Sequence, residues 1–324
     1  MTRVWRIGAR GSPLARAQAE RVGARLAARW PGLAWRWHGI ETRGDREGER
    51  PLPEIGGKGL FTAELERALV EGAIDLAVHS LKDLPTEPVP GLVLVAVPER
   101  ADPRDVWCVR GPAEPSRPEA APDGFRVGTS SLRRRALCLA VRPGLSIEPV
   151  RGNVGTRLRN LAEGRVDALV LAAAGLGRLG VGAPGRESPI AVHPLDPPDW
   201  LPAPGQGALA VQCRADDREA LEIVGAIDDP ASRAEVEAER ALLAALEGGC
   251  QVPLGALARV EGDRLRLWAF VASPDGRRVL RGQVEGPRAD PETLGRRAAA
   301  DLRRQGADDL LRSLRAIPPR ETDR

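Results

Sequence analysis

Val4-Trp-Arg-Ile-Gly-Ala-Arg-Gly-Ser-Pro13 decides how the chain is read. Val4 to Ala9 reads as a strand. Ser12 then supplies a side-chain acceptor for the free amides of a helix start, and Pro13 a preset φ in its first turn, so a helix runs on to about Arg29. Working outward, Trp35 to Ile40 is a second strand, Lys58 to Glu71 a second helix and Ile74 to His79 a short buried strand. This alternation predicts a mainly parallel α/β sheet.

A Pro-rich polar stretch, Gly111 to Gly124, precedes a second round of alternation. It comprises a strand at Phe125 to Gly128, a helix from Ser131, a strand at Leu145 to Val150, a helix from Val154 and a strand at Ala168 to Leu171. Pro194 to Gly205 reads as a hinge, and Ala208 to Cys213 as a strand able to return to the first sheet. After Asp228-Asp229-Pro230 the character changes. A helix from Ala231 to Glu247 ends at Gly248-Gly249, and three strand-like segments follow, separated by the turn signals Glu261-Gly-Asp263 and Ser273-Pro-Asp-Gly276. Helices from Pro291 and Ala307 close the chain. The expectation is two α/β domains, 1–101 with 206–226 and 102–205, followed by a small α+β domain at 227–324.

Composition narrows the function. The chain has 324 residues, 42% of them hydrophobic, which is enough for several cores. Its net charge is only +3, with arginines interleaved with acids along Arg10 to Arg29 and Arg233 to Arg240, the pattern of solvated helix faces. No one-signed patch with stacking aromatics points to nucleic acid. No apolar run reaches membrane-spanning length and Met1 to Gly8 has no leader pattern, so a soluble cytoplasmic protein is expected. Cys108, Cys138, Cys213 and Cys250 lack metal-ligand or disulfide spacing, and with three histidines no metal site is expected. The first three cysteines lie in apolar segments and read as core residues.

The chemistry concentrates in four loops at strand ends, where open α/β sheets bind ligands. They are Arg10-Gly-Ser12, Ser80-Leu-Lys82-Asp83, Gly128-Thr-Ser-Ser-Leu-Arg133-Arg134-Arg135 and Arg151-Gly-Asn-Val-Gly-Thr-Arg157. Each joins small residues, hydroxyls and cations at a helix start, with few acids nearby, and so predicts a ligand bearing several carboxylates or phosphates. Only two of the 48 cationic residues are lysines, Lys58 and Lys82, which marks both for work that arginine does not do. Gly56-Gly-Lys-Gly59 is not a nucleotide loop, because Leu52 and Gly59 stand where that motif needs glycine and a hydroxyl. Gly152-Asn-Val-Gly155 likewise lacks dinucleotide spacing. Asp83, beside Lys82, can stabilise a developing cation or shuttle a proton. Cys250, after Gly248-Gly249, is a thiol placed for attachment or attack. A non-catalytic two-domain anion-binding protein is the competing reading.

Together the segments Arg6 to Ala15, Thr42 to Asp45, Gly56 to Phe61, Val78 to Pro85, Gly128 to Arg134, Arg151 to Arg157, Pro204 to Gly207 and Glu247 to Pro253 resemble the porphobilinogen deaminase (hydroxymethylbilane synthase) family. The resemblance implies two periplasmic-binding-protein-like α/β domains plus a small C-terminal α+β domain, in a monomer. It implies a dipyrromethane cofactor in thioether linkage to Cys250, and a transferase that deaminates four porphobilinogen molecules, joins them head to tail and releases the tetrapyrrole with water. Asp83 matches the family's catalytic aspartate. Arg10, Ser12, Lys82, Ser130, Arg133, Arg134, Arg151 and Arg157 match positions that hold acetate and propionate arms of cofactor and substrate. Gln206 and Lys58 match substrate-side positions, Lys58 as an electrostatic or loop-gating residue at the cleft mouth. The chain departs from the family pattern at Glu54, where many relatives carry lysine.

Overall fold

The computed structural model describes residues 3–46, 59–111, 115–181, 189–246 and 252–315. In β1 (Val4–Arg10), Trp5, Ile7 and Ala9 enter the core, and α1 (Pro13–Arg29) lays Ala15, Ala19, Val22 and Leu26 over them. That spacing is one face of a 3.6-residue helix. The helix starts where Ser12 Oγ accepts the Ala15 amide at 3.2 Å. β2 (Ala34–Ile40) and β3 (Leu76–Ser80) flank β1, both parallel to it. Between them lie α2 (Arg43–Arg46) and α3 (Ala63–Val70). The second helix is therefore shorter than expected: residues 59–62 form a turn ahead of Ala63, and Lys58 lies outside the described residues.

After β4 (Leu92–Ala96) the chain crosses at 97–104 and enters a second sheet as β5 (Asp105–Arg110). There it builds β6 (Arg126–Gly128), α4 (Leu132–Val141), β7 (Ser146–Glu148), α5 (Val154–Ala162), β8 (Ala168–Ala172), α6 (Ala173–Arg178) and β9 (Ile190–Leu195). It returns at 196–208 as β10 (Leu209–Arg214), antiparallel between β3 and β4. The sheet orders are β2-β1-β3-β10-β4 and β7-β6-β8-β5-β9. In each, the strand arriving from the other unit runs antiparallel to both strands beside it, so the two sheets share one topology and the pair forms a two-unit clamp.

Two crossings, not one proline-rich hinge, join the units. Pro194, read as hinge, sits in β9 opposite Val106; β9 is an edge strand, where a missing amide is tolerated. The crossings touch at Gly207 (φ 89), where a Cβ would strike the Ala101 carbonyl oxygen.

α7 (Arg218–Gly225) and α8 (Pro230–Ala245) lead into a meander of β11 (Leu254–Glu261), β12 (Arg264–Ala272) and β13 (Val279–Pro287), followed by α9 (Pro291–Arg304) and α10 (Ala307–Arg315). One sheet face packs on Leu242, Leu294, Ala298 and Leu302. The other sends Leu257, Phe270 and Ala272 into the core of the second unit, against Trp107, Trp200 and Leu201. The β12–β13 turn also docks there: Gly276 (φ 71) lies against the backbone of Ala136 and Ala140 on α4, with no room for a side chain. The expected solvated face at Arg233 to Arg240 is instead largely an internal surface. Glu239 is fully buried and Glu235 nearly so; Arg100 on the first crossing pairs with both, and Arg259 adds a second cation at Glu235.

Candidate active site

β3 ends at Ser80, whose hydroxyl oxygen accepts Gln18 Nε2 from α1 at 2.8 Å. Leu81–Asp83 then makes a single 3-10 turn, closed by Leu84 N to Leu81 O at 3.1 Å. Leu81 and Leu84 are buried with Val97, Ala208, Ala210 and Val236, so Lys82 and Asp83 project between two anchors and remain half-buried. Lys82 Nζ reaches Gln206 Oε1 at 3.3 Å. Burial, and next the charge of Arg134, lower its pKa to about 8, opposed by Asp83 and Asp105. The Asp83 carboxylate accepts no hydrogen bond from another described residue.

Behind Lys82 lies a hub that sequence reading missed. Asp105, the fully buried first residue of β5, receives Arg133 Nη1 at 2.6 Å, Arg134 Nη2 at 2.7 Å, Trp200 Nε1 at 2.9 Å and Gln206 Nε2 at 2.9 Å. Burial acts to raise its pKa, yet the two arginines hold the carboxyl far below the usual carboxylate range. A lone acid opening an apolar strand has no local signature; its meaning comes from four partners on other elements.

The expectation of arginine forks without acidic partners fails at three positions. Arg133 and Arg134 are buried and spent largely on Asp105, with further bonds to the carbonyls of Leu201 and Val170. Arg10 pairs with Asp45, which Thr42 Oγ1 also holds at 2.7 Å, and lies 4.2 Å over the Phe61 ring. Gln206, expected to face substrate, is 1% exposed, its amide oxygen meeting Lys82 Nζ and its nitrogen donating to Pro103 O and Asp105. Ser12 caps α1, and Ser130 Oγ donates to the Val150 carbonyl at 2.9 Å.

Two arginines of these loops, Arg151 and Arg157, form no ion pair with a described carboxylate. Asn153 caps α5 by accepting the Thr156 amide at 2.9 Å, and Arg157 in its first turns donates Nε back to Gly152 O at 2.9 Å. Burial first, then Arg134 and Arg151, lower the Arg157 pKa to about 10, with Asp83 opposing. Arg151 Nη1 is buried with no hydrogen-bond partner. The clamp thus brings Lys82 of the first sheet into the field of Arg134, and Asp83 into that of Arg157, on the second. Arg178, also missed, donates to Gly207 O at 2.6 Å; burial and then the charges of Arg21 and Arg25 lower its pKa to about 10. It ends an apolar helix, where a final arginine reads as a solvated cap.

One family model, described as "Porphobilinogen deaminase, dipyromethane cofactor binding domain", matches residues 5–222, and another, "Porphobilinogen deaminase, C-terminal domain", matches 233–304. The chain belongs to the porphobilinogen deaminase family. The first match spans both sheets of the clamp and the second the meander. A porphobilinogen deaminase of Desulforudis audaxviator is 52% identical over 310 residues, covering 96% of this chain and 97% of that protein. One from a Roseiflexus species is 50% identical, covering 94% and 97%. Among solved structures, an ancestral arginine-binding protein bound to arginine aligns at 14% identity and TM-score 0.38, over 70% of this chain and 92% of that one, too distant to inform the site.

Membership makes the chain a transferase with the family's dipyrromethane cofactor domain. The donor set suits that group: an orphaned buried guanidinium nitrogen on Arg151, Arg157 without a carboxylate partner and a low-pKa ammonium on Lys82 are the complement of a molecule carrying carboxylate arms. Cys250, Lys58 and Glu54 lie outside the described residues. The cysteines of β5, α4 and β10 are buried, and burial pushes the thiols of Cys108 and Cys213 up to about 12 and 11. They are inert core residues.

Proposed function

We propose that this chain is a cytoplasmic, monomeric porphobilinogen deaminase that binds no nucleic acid. It deaminates porphobilinogen, joins four molecules head to tail and releases hydroxymethylbilane with water. The supporting observation is a carboxylate, Asp83, that accepts no hydrogen bond from another described residue and lies in the field of Lys82 and Arg157, neither of which is hydrogen-bonded to a described carboxylate. In such a site Arg151, Arg157 and Lys82 bind the acetate and propionate arms and orient the ring. Arg10, Ser12 and Ser130 complete the wall with local polar groups. Arg133 and Arg134 contribute mainly through the field they share with Asp105. Lys58 is assigned to the cleft mouth.

Asp83 is placed to accept a hydrogen bond from the pyrrole N–H. As the aminomethyl C–N bond breaks, ammonia departs and the ring becomes cationic; the Asp83 carboxylate stabilises that charge where it forms. The free α-carbon of the preceding ring then attacks, forming the C–C bond, and loses its α-proton. The dipyrromethane, when bound, supplies the first acceptor carbon, and we assign its thioether to Cys250. The proposed units are 1–101 with 206–226, 102–205 and 227–324, so the attachment residue belongs to the third and the carboxylate grips to the first two.

Incubation of purified protein with porphobilinogen tests this, with ammonia release and a linear tetrapyrrole as the expected products. Intact mass should exceed the sequence mass by a dipyrrole, and Cys250→Ser should lack the increment. An unmodified protein that binds porphobilinogen without turnover would instead be an anion-binding clamp.

A further inference from the structure

Arg240 on α8 donates Nη1 to the Leu84 carbonyl at 2.9 Å and Nη2 to the Pro85 carbonyl at 2.7 Å. The fork holds the Leu84–Pro85 and Pro85–Thr86 peptides, which begin one residue beyond Asp83, on backbone belonging to neither helix nor strand. One helical turn earlier, Val236 packs against Leu81 and Leu84, so a single face of α8 holds the Asp83 turn by a fork and a knob. No described carboxylate pairs with Arg240. Burial lowers its pKa, with only the charge of Glu237 opposing.

Burying a guanidinium on carbonyls without a counter-charge is costly, and an apolar side chain would fill the same space at less cost. The two-point fork achieves what filling does not: it fixes the planes of two consecutive peptides. Leu84, whose carbonyl the fork holds, also closes the 3-10 turn through its own N–H on Leu81 O, so the fork restrains the residue that ends the turn and, through it, the backbone of Asp83. We propose that Arg240 is a positioning residue for the reaction, holding Asp83 at the bond being broken. The proposal rests on Asp83 being the catalytic carboxylate.

The fold supplies an unusual way to test it. A groove of about 390 Å³, lined by Thr86, Glu237, Ala241, Ala244 and Ala245, opens onto the Arg240 side chain and is wide enough for a free guanidinium ion. In Arg240→Ala holoenzyme, checked by mass for the dipyrrole, we expect kcat to fall roughly 30- to 100-fold, the scale set by misplacing a catalytic group by about 1 Å. KM for porphobilinogen should change less than about threefold, because, of the carboxylate grips, only Lys82 shares this turn, its ammonium held separately by Gln206, while Arg151 and Arg157 lie in the second unit. Millimolar guanidinium chloride should restore about tenfold of the lost rate, whereas sodium chloride at equal ionic strength should not. Should the alanine variant fail to fold, Arg240→Lys, which keeps the charge and loses the fork, is expected to show the same kcat-only loss.

A folded variant with wild-type kcat, a loss confined to KM, or a guanidinium response no larger than that to sodium chloride would overturn the proposal. Asp83→Asn measured alongside separates the two claims. If it is slow while Arg240→Ala is normal, only the positioning role fails. If it turns over normally, the catalytic reading of Asp83 fails first.

Discussion

Arg100 meets Glu239 in a two-point pair, Nη1 to Oε1 at 2.8 Å and Nη2 to Oε2 at 2.9 Å, with both side chains out of solvent. Each member also reaches beyond the pair. Arg100 Nε donates to Gln206 O at 2.9 Å, while Glu239 accepts the amides of Gly205 at 2.7 Å and Ala258 at 2.8 Å. A single carboxylate on α8 therefore ties together both crossings of the clamp and the first strand of the meander. The third unit is thereby bonded to both segments that join the other two.

Removing one partner leaves a buried uncompensated charge. Arg100→Met should lower stability by about 3–5 kcal/mol, read from urea midpoints. A change below about 1 kcal/mol would show that the pair is dispensable to the folded state.

Asp83→Asn keeps the shape of the turn and removes the charge. The dipyrrole should still be found by mass, while turnover falls by roughly 10²- to 10⁴-fold, the range of a positioned charge or proton-transfer group. Near-normal rates would remove Asp83 from the mechanism.

Lys82 predicts an alkaline limb. Its pKa is lowered to about 8, so below that pH it is an ammonium able to hold a carboxylate and above it a neutral amine. Accordingly kcat/KM should fall as pH rises through about 8, and Lys82→Arg should flatten that limb. Folding responds in the opposite sense. Between about 8 and the ordinary value of 10.5 the unfolded chain binds more protons, so this residue's contribution to stability rises with pH across that window. A kcat/KM profile with the same limb in wild type and Lys82→Arg would exclude this titration.

Phe270 fills the joint between the meander and the second unit and is fully buried. Phe270→Ala should cost about 3–5 kcal/mol, as large aromatic truncations in cores do. If the effect is instead confined to loss of inter-unit contact with each core intact, calorimetry will show two transitions where wild type shows one.

Local signals carried much of this molecule. Ser12-Pro13, Asn153 and the alternating β1 are readable because capping, φ restriction and side-chain periodicity act within a few residues. So were the strand-end loops bearing Asp83, Arg151 and Arg157, since small residues and cations ahead of a helix have one evident use. What stayed hidden were long-range pairings. Arg133 and Arg134 look the same as Arg157 in sequence, yet two are absorbed by Asp105 and one is left without an acid, because β5 crosses from the other unit to lie beneath α4. Glu239 and Arg240 have the spacing of a solvated helix, yet one is sealed at the hinge and the other grips the Asp83 turn. The sequence alone marked which loops carry cations and where most helices and strands begin. Which cations remain unpaired, and what holds Asp83 in place, was decided only in the tertiary structure, because charge is neutralised by neighbours in space and the partners used here lie from 28 to 156 residues apart along the chain.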